Sequence, residues 1–216
     1  MTENLKTAII VGSTGLIGTH LLERLITDER YGKIVLLSRR RHILESPKIE
    51  TIITDFSSDQ VLKQSIIGDE VFCCLGTTIN KAGSKDNFKK IDLHLPLIIA
   101  EYAVANKVRG FYLVSSLGAS TSTLNFYLKT KGQLEKALQD LNIERLAIFR
   151  PSLLLGKRSE HRFGESIGGF VFPMFNPFLL GPLKKYRPIQ AHAVAAAMIN
   201  VANSDRIQSI YESDEI

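Results

Sequence analysis

The sequence predicts an α/β fold built on a doubly wound parallel sheet, and three observations carry that expectation. Apolar runs of strand length alternate with helical periodicity almost from end to end. The strand runs are continuously apolar rather than alternating, which implies burial on both faces and a parallel sheet covered by helices. Strand–helix repetition with right-handed crossovers then gives a doubly wound arrangement.

The elements follow in order. Residues 7–11 form a short β-rich run, followed by glycines and a helix with Leu16, Ile17, Leu21, Leu22, Leu25 and Ile26 on one face. Further strands are expected at 33–37, 49–54, 71–75, 111–114 and 145–149. Helical segments fall at 58–66, 86–106 and 125–141, with Pro96 marking a kink or a start inside the second. After Pro151 the rhythm breaks into a charged patch (Lys157, Arg158, Glu160, His161, Arg162), an uncharged Phe- and Leu-rich stretch at 166–183, and a last helix at 192–202. The whole chain, 1–216, reads as a single domain. Within it, residues 152–190 are expected to form a small substrate-capping or interface insertion over the carboxyl ends of the strands, where open α/β sheets bind ligands.

The segment Gly12-Ser13-Thr14-Gly15-Leu16-Ile17-Gly18 joins the first strand to the first helix. The first glycine permits a tight turn, the second lets backbone amides approach a pyrophosphate, and the third lets helix and strand pack closely. The helix N-terminus adds unpaired N–H groups and a positive dipole end. Placed between a strand and an amphipathic helix, these glycines predict a Rossmann-type dinucleotide site; a purely structural glycine turn is the plain alternative. At the end of the second strand stand Ser38, Arg39 and Arg40, with no carboxylate beside them. A carboxylate there would bind the free ribose hydroxyls of NAD, whereas a guanidinium suits the extra phosphate of NADP. The expected cofactor is therefore NADP(H). Asp55 and Phe56 end the third strand and Gly76-Thr77-Thr78 follow the fourth, positions that would line adenine and ribose, although an Asp at a strand end is also a common helix cap.

Tyr127 and Lys131 lie four residues apart on one helix face. Leu134 and Leu138 continue that stripe, so Lys131 faces protein, where a lysine is costly without a partner. A phenol beside an ammonium suits acid–base chemistry, because the positive charge favours phenolate. The alternative is a core tyrosine whose ring packs and a lysine that snorkels to water. Ser115 and Ser116 end the fifth strand, where a hydroxyl would hold a substrate carbonyl.

Composition narrows the class. The chain has 216 residues, 44% hydrophobic and 23% charged, and a net charge of +5. Such a balance suits an anionic cofactor, and without a long basic run (39–41 is the densest cluster) it makes no nucleic-acid footprint. The adjacent Cys73 and Cys74 point to opposite faces of a strand and cannot bridge each other, so they read as core residues. With no charged-then-apolar leader, a cytoplasmic location is expected. Pro173, Pro177 and Pro182 break the uncharged stretch, so it is read as a loop facing substrate or partner, with no integral membrane segment. No metal site is expected.

Together the glycine spacing, Tyr127-x-x-x-Lys131 and the upstream serines resemble the short-chain dehydrogenase/reductase superfamily, in its extended or atypical branch. Cys74-Leu-Gly-Thr-Thr78, Lys81-Ala-Gly83, Ser115-Ser116-x-Gly-Ala119, Asn125-Phe-Tyr-Leu128, Lys131-Gly-x-x-Glu135 and Phe149-Arg-Pro151 are similar, more narrowly, to the Tat-interactive-protein oxidoreductases and their bacterial relatives. The resemblance covers nearly the whole chain. It implies NADPH binding, with Arg39 and Arg40 at the 2′-phosphate, Asp55 and Phe56 at adenine, Leu75, Gly76 and Thr77 along the ribose, and Pro151 and Leu153 beside the nicotinamide. It also implies Tyr127 as general acid, Lys131 as its electrostatic partner and ribose contact, and Ser116 as carbonyl orienter. One departure stands out: the Asn of the superfamily's proton relay has no match, and Asp92 is the nearest polar residue in that helix.

The function expected is an NADPH-dependent oxidoreductase acting on a small carbonyl-type substrate. The alternative is an NADP(H)-binding regulator or scaffold that works through a protein partner or as a homodimer. An epimerase or dehydratase would want a larger substrate domain than this short C-terminal segment provides.

Overall fold

The computed structural model describes residues 5–156, 180–205 and 207–216. The charged patch at 157–162 and most of the uncharged stretch, 166–179, lie outside the described residues.

Seven strands form one sheet: β1 (Lys6–Val11), β2 (Tyr31–Ser38), β3 (Ile49–Ile53), β4 (Glu70–Cys73), β5 (Gly110–Val114), β6 (Arg145–Arg150) and β9 (Ile210–Glu212). Their order is β3-β2-β1-β4-β5-β6-β9, and every pairing is parallel. The order reverses between β1 and β4, which opens a crevice beyond their carboxyl ends, the standard ligand position in such sheets. A second pairing joins β7 (Leu154–Leu155) to β8 (Ile189–Gln190). All six expected strands match to within two residues at each end; the one expected at 71–75 sits one residue early and stops two short. β3 departs from the expected continuous burial because it is an edge strand, and Ile53 is largely exposed.

Helices cover both faces. α1 (Leu16–Thr27) and α7 (Ala191–Ala202) pack together over one side, where Leu21, Leu22, Leu25, Val194, Ala195 and Met198 meet Ile10, Leu36 and Phe149. α2 (Asp59–Ser65), α5 (Leu95–Ala105) and α6 (Phe126–Gln139) cover the other, placing Leu62, Ile99, Ala103, Leu134 and Leu138 on Val11, Val71 and Ile148. Strands buried on both faces need a helix layer on each side, which is why they carry so few polar residues.

The predicted helix at 86–106 is three pieces. α3 (Ile79–Ala82) precedes it, then α4 (Lys85–Lys89) runs through a π-helical turn (Lys90–His94) into α5. Pro96 explains the interruption. It has no N–H to offer the Asp92 carbonyl four residues back, and its ring would clash there in a regular helix. The backbone widens instead, and the Leu95 N–H bonds to the Lys90 carbonyl.

One ion-pair network fixes α6 against the sheet. Arg150, at the end of β6, donates to both carboxylate oxygens of Glu135 on α6 (2.5 Å to Oε2) and to Glu212 on β9 (3.0 Å). The Ser115 hydroxyl donates to the same Glu135. Glu135 is almost fully buried, so removing the guanidinium strands a carboxylate out of water. Arg150→Ala is expected to lower unfolding free energy by about 3–5 kcal/mol, read from urea denaturation; a loss below about 1 kcal/mol would show that the network contributes little.

Candidate functional site

Parallel strands deliver their carboxyl ends to one edge, and the residues singled out from the sequence line up there. After β1, Gly12 adopts φ +90°, and a Cβ on it would lie 2.6 Å from the Cys74 carbonyl oxygen. On Gly18 a Cβ would lie 2.1 Å from the Gly12 carbonyl oxygen. Both glycines are thus demanded by the protein's own packing. Gly15 differs: its φ is −77°, and a Cβ would meet protein no closer than 3.2 Å. Its missing side chain leaves the start of α1 open. No side chain caps that helix, and no acidic residue stands in its first turn, whereas Ser58, Thr78, Ser84 and Asn125 cap α2, α3, α4 and α6. The first-turn N–H groups of α1 are free for an anion. Beside them the buried Ser13 hydroxyl has no partner among the described residues, while Thr14 is exposed, Leu16 half-buried and Ile17 buried. An uncapped helix start and an orphaned hydroxyl fit a pyrophosphate.

Beyond β2, Ser38 accepts the Arg40 N–H (3.4 Å), and the exposed guanidinium groups of Arg39 and Arg40 have no partner among the described residues. Beyond β3, Asp55 is committed to a local turn, accepting the Ser57 N–H (2.9 Å) and hydroxyl (2.7 Å), and these bonds hold its carboxyl below the usual carboxylate range. Phe56 sits at φ 65°, an uncommon conformation for an aromatic residue, with its N–H on the Thr54 hydroxyl (3.0 Å). Strained backbone of this kind clusters at ligand sites.

Beyond β4 the chain runs through Leu75, Gly76 and Thr77 to the centre of the site. α6 presents Tyr127 half-buried, its ring 5.7 Å from that of the buried Phe88 on α4. Four residues on, Lys131 is buried, with its side chain 4% exposed. The sequence left Lys131 without a partner, and the structure supplies one: Asp92, fully buried on the π-helical turn, 2.7 Å away. The other Asp92 oxygen accepts the Thr77 N–H at 2.9 Å. A Cβ on Gly76 would lie 3.7 Å from Asp92 and 3.9 Å from Lys131 Nζ, so the Gly76 backbone passes directly over the pair. Burial works against the lysine's charge, but the Asp92 carboxylate, with smaller help from Tyr127 and Cys73, favours it, and the Lys131 pKa lies above the ordinary value. Below this floor burial pushes the Cys73 thiol up to about 11, as a core cysteine's should be.

Beyond β5 the two serines part. Ser115 is buried and spends its hydroxyl on Glu135, whereas Ser116 is half-buried and its side chain has no partner among the described residues. The Leu117 N–H bonds to the Pro151 carbonyl (3.0 Å), tying this loop to the end of β6. Pro151 is buried and Leu153 exposed, and the Ser152 hydroxyl donates to the Arg187 carbonyl. Among the described residues no group of three or more His, Cys, Asp and Glu is placed to hold a metal ion, and no helix is long and apolar enough to cross a membrane.

A doubly wound sheet with a glycine turn, an open helix start and a buried lysine at its switch point defines a dinucleotide-binding protein. Residues 8–188 match the NAD dependent epimerase/dehydratase family. The chain belongs to that family, and within it is an extended short-chain dehydrogenase/reductase-like NAD(P)-binding protein. It is 36% identical to Protein HTATIP2 of Rattus norvegicus over 164 residues, covering 74% of this chain and 67% of that one. It is 34% identical over 206 residues to "Protein FMP52, mitochondrial" of Debaryomyces hansenii, covering 93% and 89%. In structure it is similar to a Rossmann-fold NAD(P)-binding family protein from Shigella flexneri (TM-score 0.63, 19% identity, 93% of this chain and 88% of that one). It is also similar to Bordetella bronchiseptica WbmH in complex with NAD+ (TM-score 0.69, 17% identity, 93% and 72%). These structural likenesses concern the fold. The relatives correct one expectation: FMP52 proteins from several yeasts are named mitochondrial, which points away from a cytoplasmic location. Composition reports redox class and solubility, but it does not reveal an address read by a receptor.

The glycines separate fold from binding. Gly15→Val is expected to stay folded, with an unchanged circular dichroism spectrum, and to lose dinucleotide binding in calorimetric titration. Gly18→Val should unfold at markedly lower temperature, because its side chain meets backbone. Retained binding by folded Gly15→Val would make the turn a structural element only.

Proposed function

We propose that the protein is an NADPH-dependent oxidoreductase that reduces a small carbonyl-type substrate. The observation that carries this reading is the buried Lys131 under the Gly76 backbone, one helical turn from Tyr127, at the switch point of the sheet. A lysine is kept in such a dry place for its charge, since a structural position would be filled more cheaply by an apolar side chain.

In this reading Gly12, Ser13, Thr14, Gly15, Leu16, Ile17 and Gly18 hold the pyrophosphate, with Gly15 leaving room for it. Ser38, Arg39 and Arg40 receive the 2′-phosphate; the two unpaired guanidinium groups support NADP(H) over NAD(H), as does the lack of a carboxylate at 38–41. Asp55 and Phe56 flank adenine. Leu75, Gly76 and Thr77 run along the ribose, and Pro151 and Leu153 lie at the nicotinamide end. Bound there, NADPH supplies the hydride. Ser116 holds the substrate carbonyl, Tyr127 gives its phenolic proton to the developing alkoxide, and Lys131 binds ribose hydroxyls. The expected substrate-side cover, residues 152–190, lies largely outside the described residues. Membership of the NAD dependent epimerase/dehydratase family supports a nicotinamide cofactor at this site.

Two measurements test it. Calorimetric titration is expected to show NADPH bound about 10–100-fold more tightly than NADH, with the preference lost in Arg39→Asp, since a charge-assisted hydrogen bond is worth about 1.5–3 kcal/mol. Equal affinities in the unaltered protein would overturn the NADP assignment. A panel of aldehydes and ketones followed by NADPH absorbance is expected to reveal turnover, and Tyr127→Phe should lower kcat by about 10²–10⁴ while leaving NADPH affinity unchanged. Full activity in Tyr127→Phe would remove the tyrosine from the mechanism. Tight NADPH binding without turnover on any substrate would favour the regulator or scaffold instead.

A further inference from the structure

Asp92 belongs to none of the spacings that mark the site, yet it is the most completely enclosed charge in the molecule among the described residues, at 0% exposure. It stands on the π-helical turn that Pro96 imposes, and its two oxygens make two different attachments. One lies 2.7 Å from Lys131 Nζ on α6, and the other accepts the Thr77 N–H in the loop after β4. A single carboxylate therefore joins three separate parts of the crevice wall. We propose that Asp92 is a positioning residue of the dinucleotide site, which clamps the Lys131 ammonium to the Thr77 backbone and keeps it charged in a place closed to water. The inference rests on the reading of Lys131 as a cofactor contact.

The surroundings leave this task to Asp92 alone. Lys131 faces Asp92 from the π-helical turn, Tyr127 from the preceding turn of α6 and Cys73 from β4. The cysteine is a neutral thiol below about pH 11. Glu135, the next residue of the stripe on α6, is already taken by Arg150 and Ser115. An Asn at position 92 would keep an oxygen for the Thr77 N–H and lose only the negative charge. Burial, the largest single influence on Lys131, would then be opposed only by Tyr127 and Cys73, and burial lowers a lysine's pKa. In the unaltered protein the lysine keeps its proton well into alkaline solution. In Asp92→Asn the protonated form is present at lower pH and is lost as pH rises.

The test is NADPH affinity by calorimetry from about pH 7 to pH 9.5, where a phosphate monoester is already ionised, for the unaltered protein, Asp92→Asn and Lys131→Ala. The unaltered protein is expected to give a flat profile and Lys131→Ala a uniformly weaker one. Asp92→Asn should follow the unaltered protein at the low end, then weaken by about tenfold per pH unit above the new lysine pKa, down to the Lys131→Ala level. An Asp92→Asn profile parallel to the unaltered one overturns the proposal. NMR titration of the Lys131 ammonium in the cofactor-free protein gives a second readout. Its midpoint should lie above that of ordinary lysines and drop in Asp92→Asn. A midpoint below ordinary lysines in the unaltered protein overturns the proposal, and that measurement stands even if Asp92→Asn does not fold. If the unaltered protein binds no NADPH, the proposed function fails, while the lysine titration still decides the role of Asp92.

Discussion

The close approach of the Gly12 backbone to the end of β4 is the constraint from which the rest of the site follows. With no side chain at Gly12, the turn after β1 lies against the Cys74 carbonyl, and the Cys74 N–H reaches the Val11 carbonyl at 2.8 Å. This contact closes the sheet at the point where the strand order reverses. The glycine turn and the Leu75–Thr77 segment then diverge from a common origin, one toward α1 and the other toward the π-helical turn. The crevice between them is set by backbone geometry before any functional side chain is considered, which is why so many unrelated chemistries use the same switch point.

Among the described residues, charge is buried where it ties elements together. Lys131 and Asp92 join α6 to the turn ahead of α5, and Arg150 and Glu135 join α6 to β6. At the opposite edge of the sheet, Glu70 accepts from Lys6 at 2.7 Å and from the Tyr31 hydroxyl, and Asn203 at the end of α7 bonds to both Lys6 and Tyr31. Burial and the neighbouring carboxylate push the Tyr31 phenol well above its ordinary value, so it keeps its proton, donating to Glu70 while its oxygen accepts from the Asn203 amide. Ion pairs of this kind gain little net stability over apolar packing, but breaking one is costly. Their effect is to fix position. α6 carries two such pairs one turn apart, so the helix that presents Tyr127 is held in rotation and in depth.

Local pattern made much of this legible in the sequence. Continuous apolar runs gave β1 to β6, because a central strand must be buried on both faces. The stripe through Leu134 and Leu138 placed Lys131 inward, and the lack of a carboxylate near Arg39 was plain from the chain itself. What the sequence withheld depends on distant partners. Asp92 and Lys131 are 39 positions apart, and no spacing rule joins a π-helical turn to a helix two elements away. Ser115 and Ser116 are equivalent as a sequence pair, and only Glu135 distinguishes the one that is spent from the one that is free. β7, β8 and β9 have two or three residues each, too short for any periodicity to register. The orphaned Ser13 hydroxyl had a signal only in its place within the glycine turn.

The relay Asn that the resemblance implies has no match here, and the buried carboxylate of Asp92 bears on what the lysine of the proposed site can do. The amide that the resemblance implies would leave the ammonium with its full positive charge, felt by the neighbouring phenol as well as by a ribose. A carboxylate at 2.7 Å makes a nearly neutral pair, and the field of a close pair falls away much faster with distance than that of a lone charge. Groups touching Lys131 directly still meet an ammonium with donors to offer. Groups a few ångströms further off, the Tyr127 hydroxyl among them, meet a dipole. In the proposed site, Asp92 would thus shift the lysine's work from electrostatic tuning at a distance toward anchoring at contact. Under the proposed function, a site arranged this way would depend on the cofactor's grip more than on an activated tyrosine, and Tyr127 would give its proton with less help from the lysine than an Asn-containing relay would give.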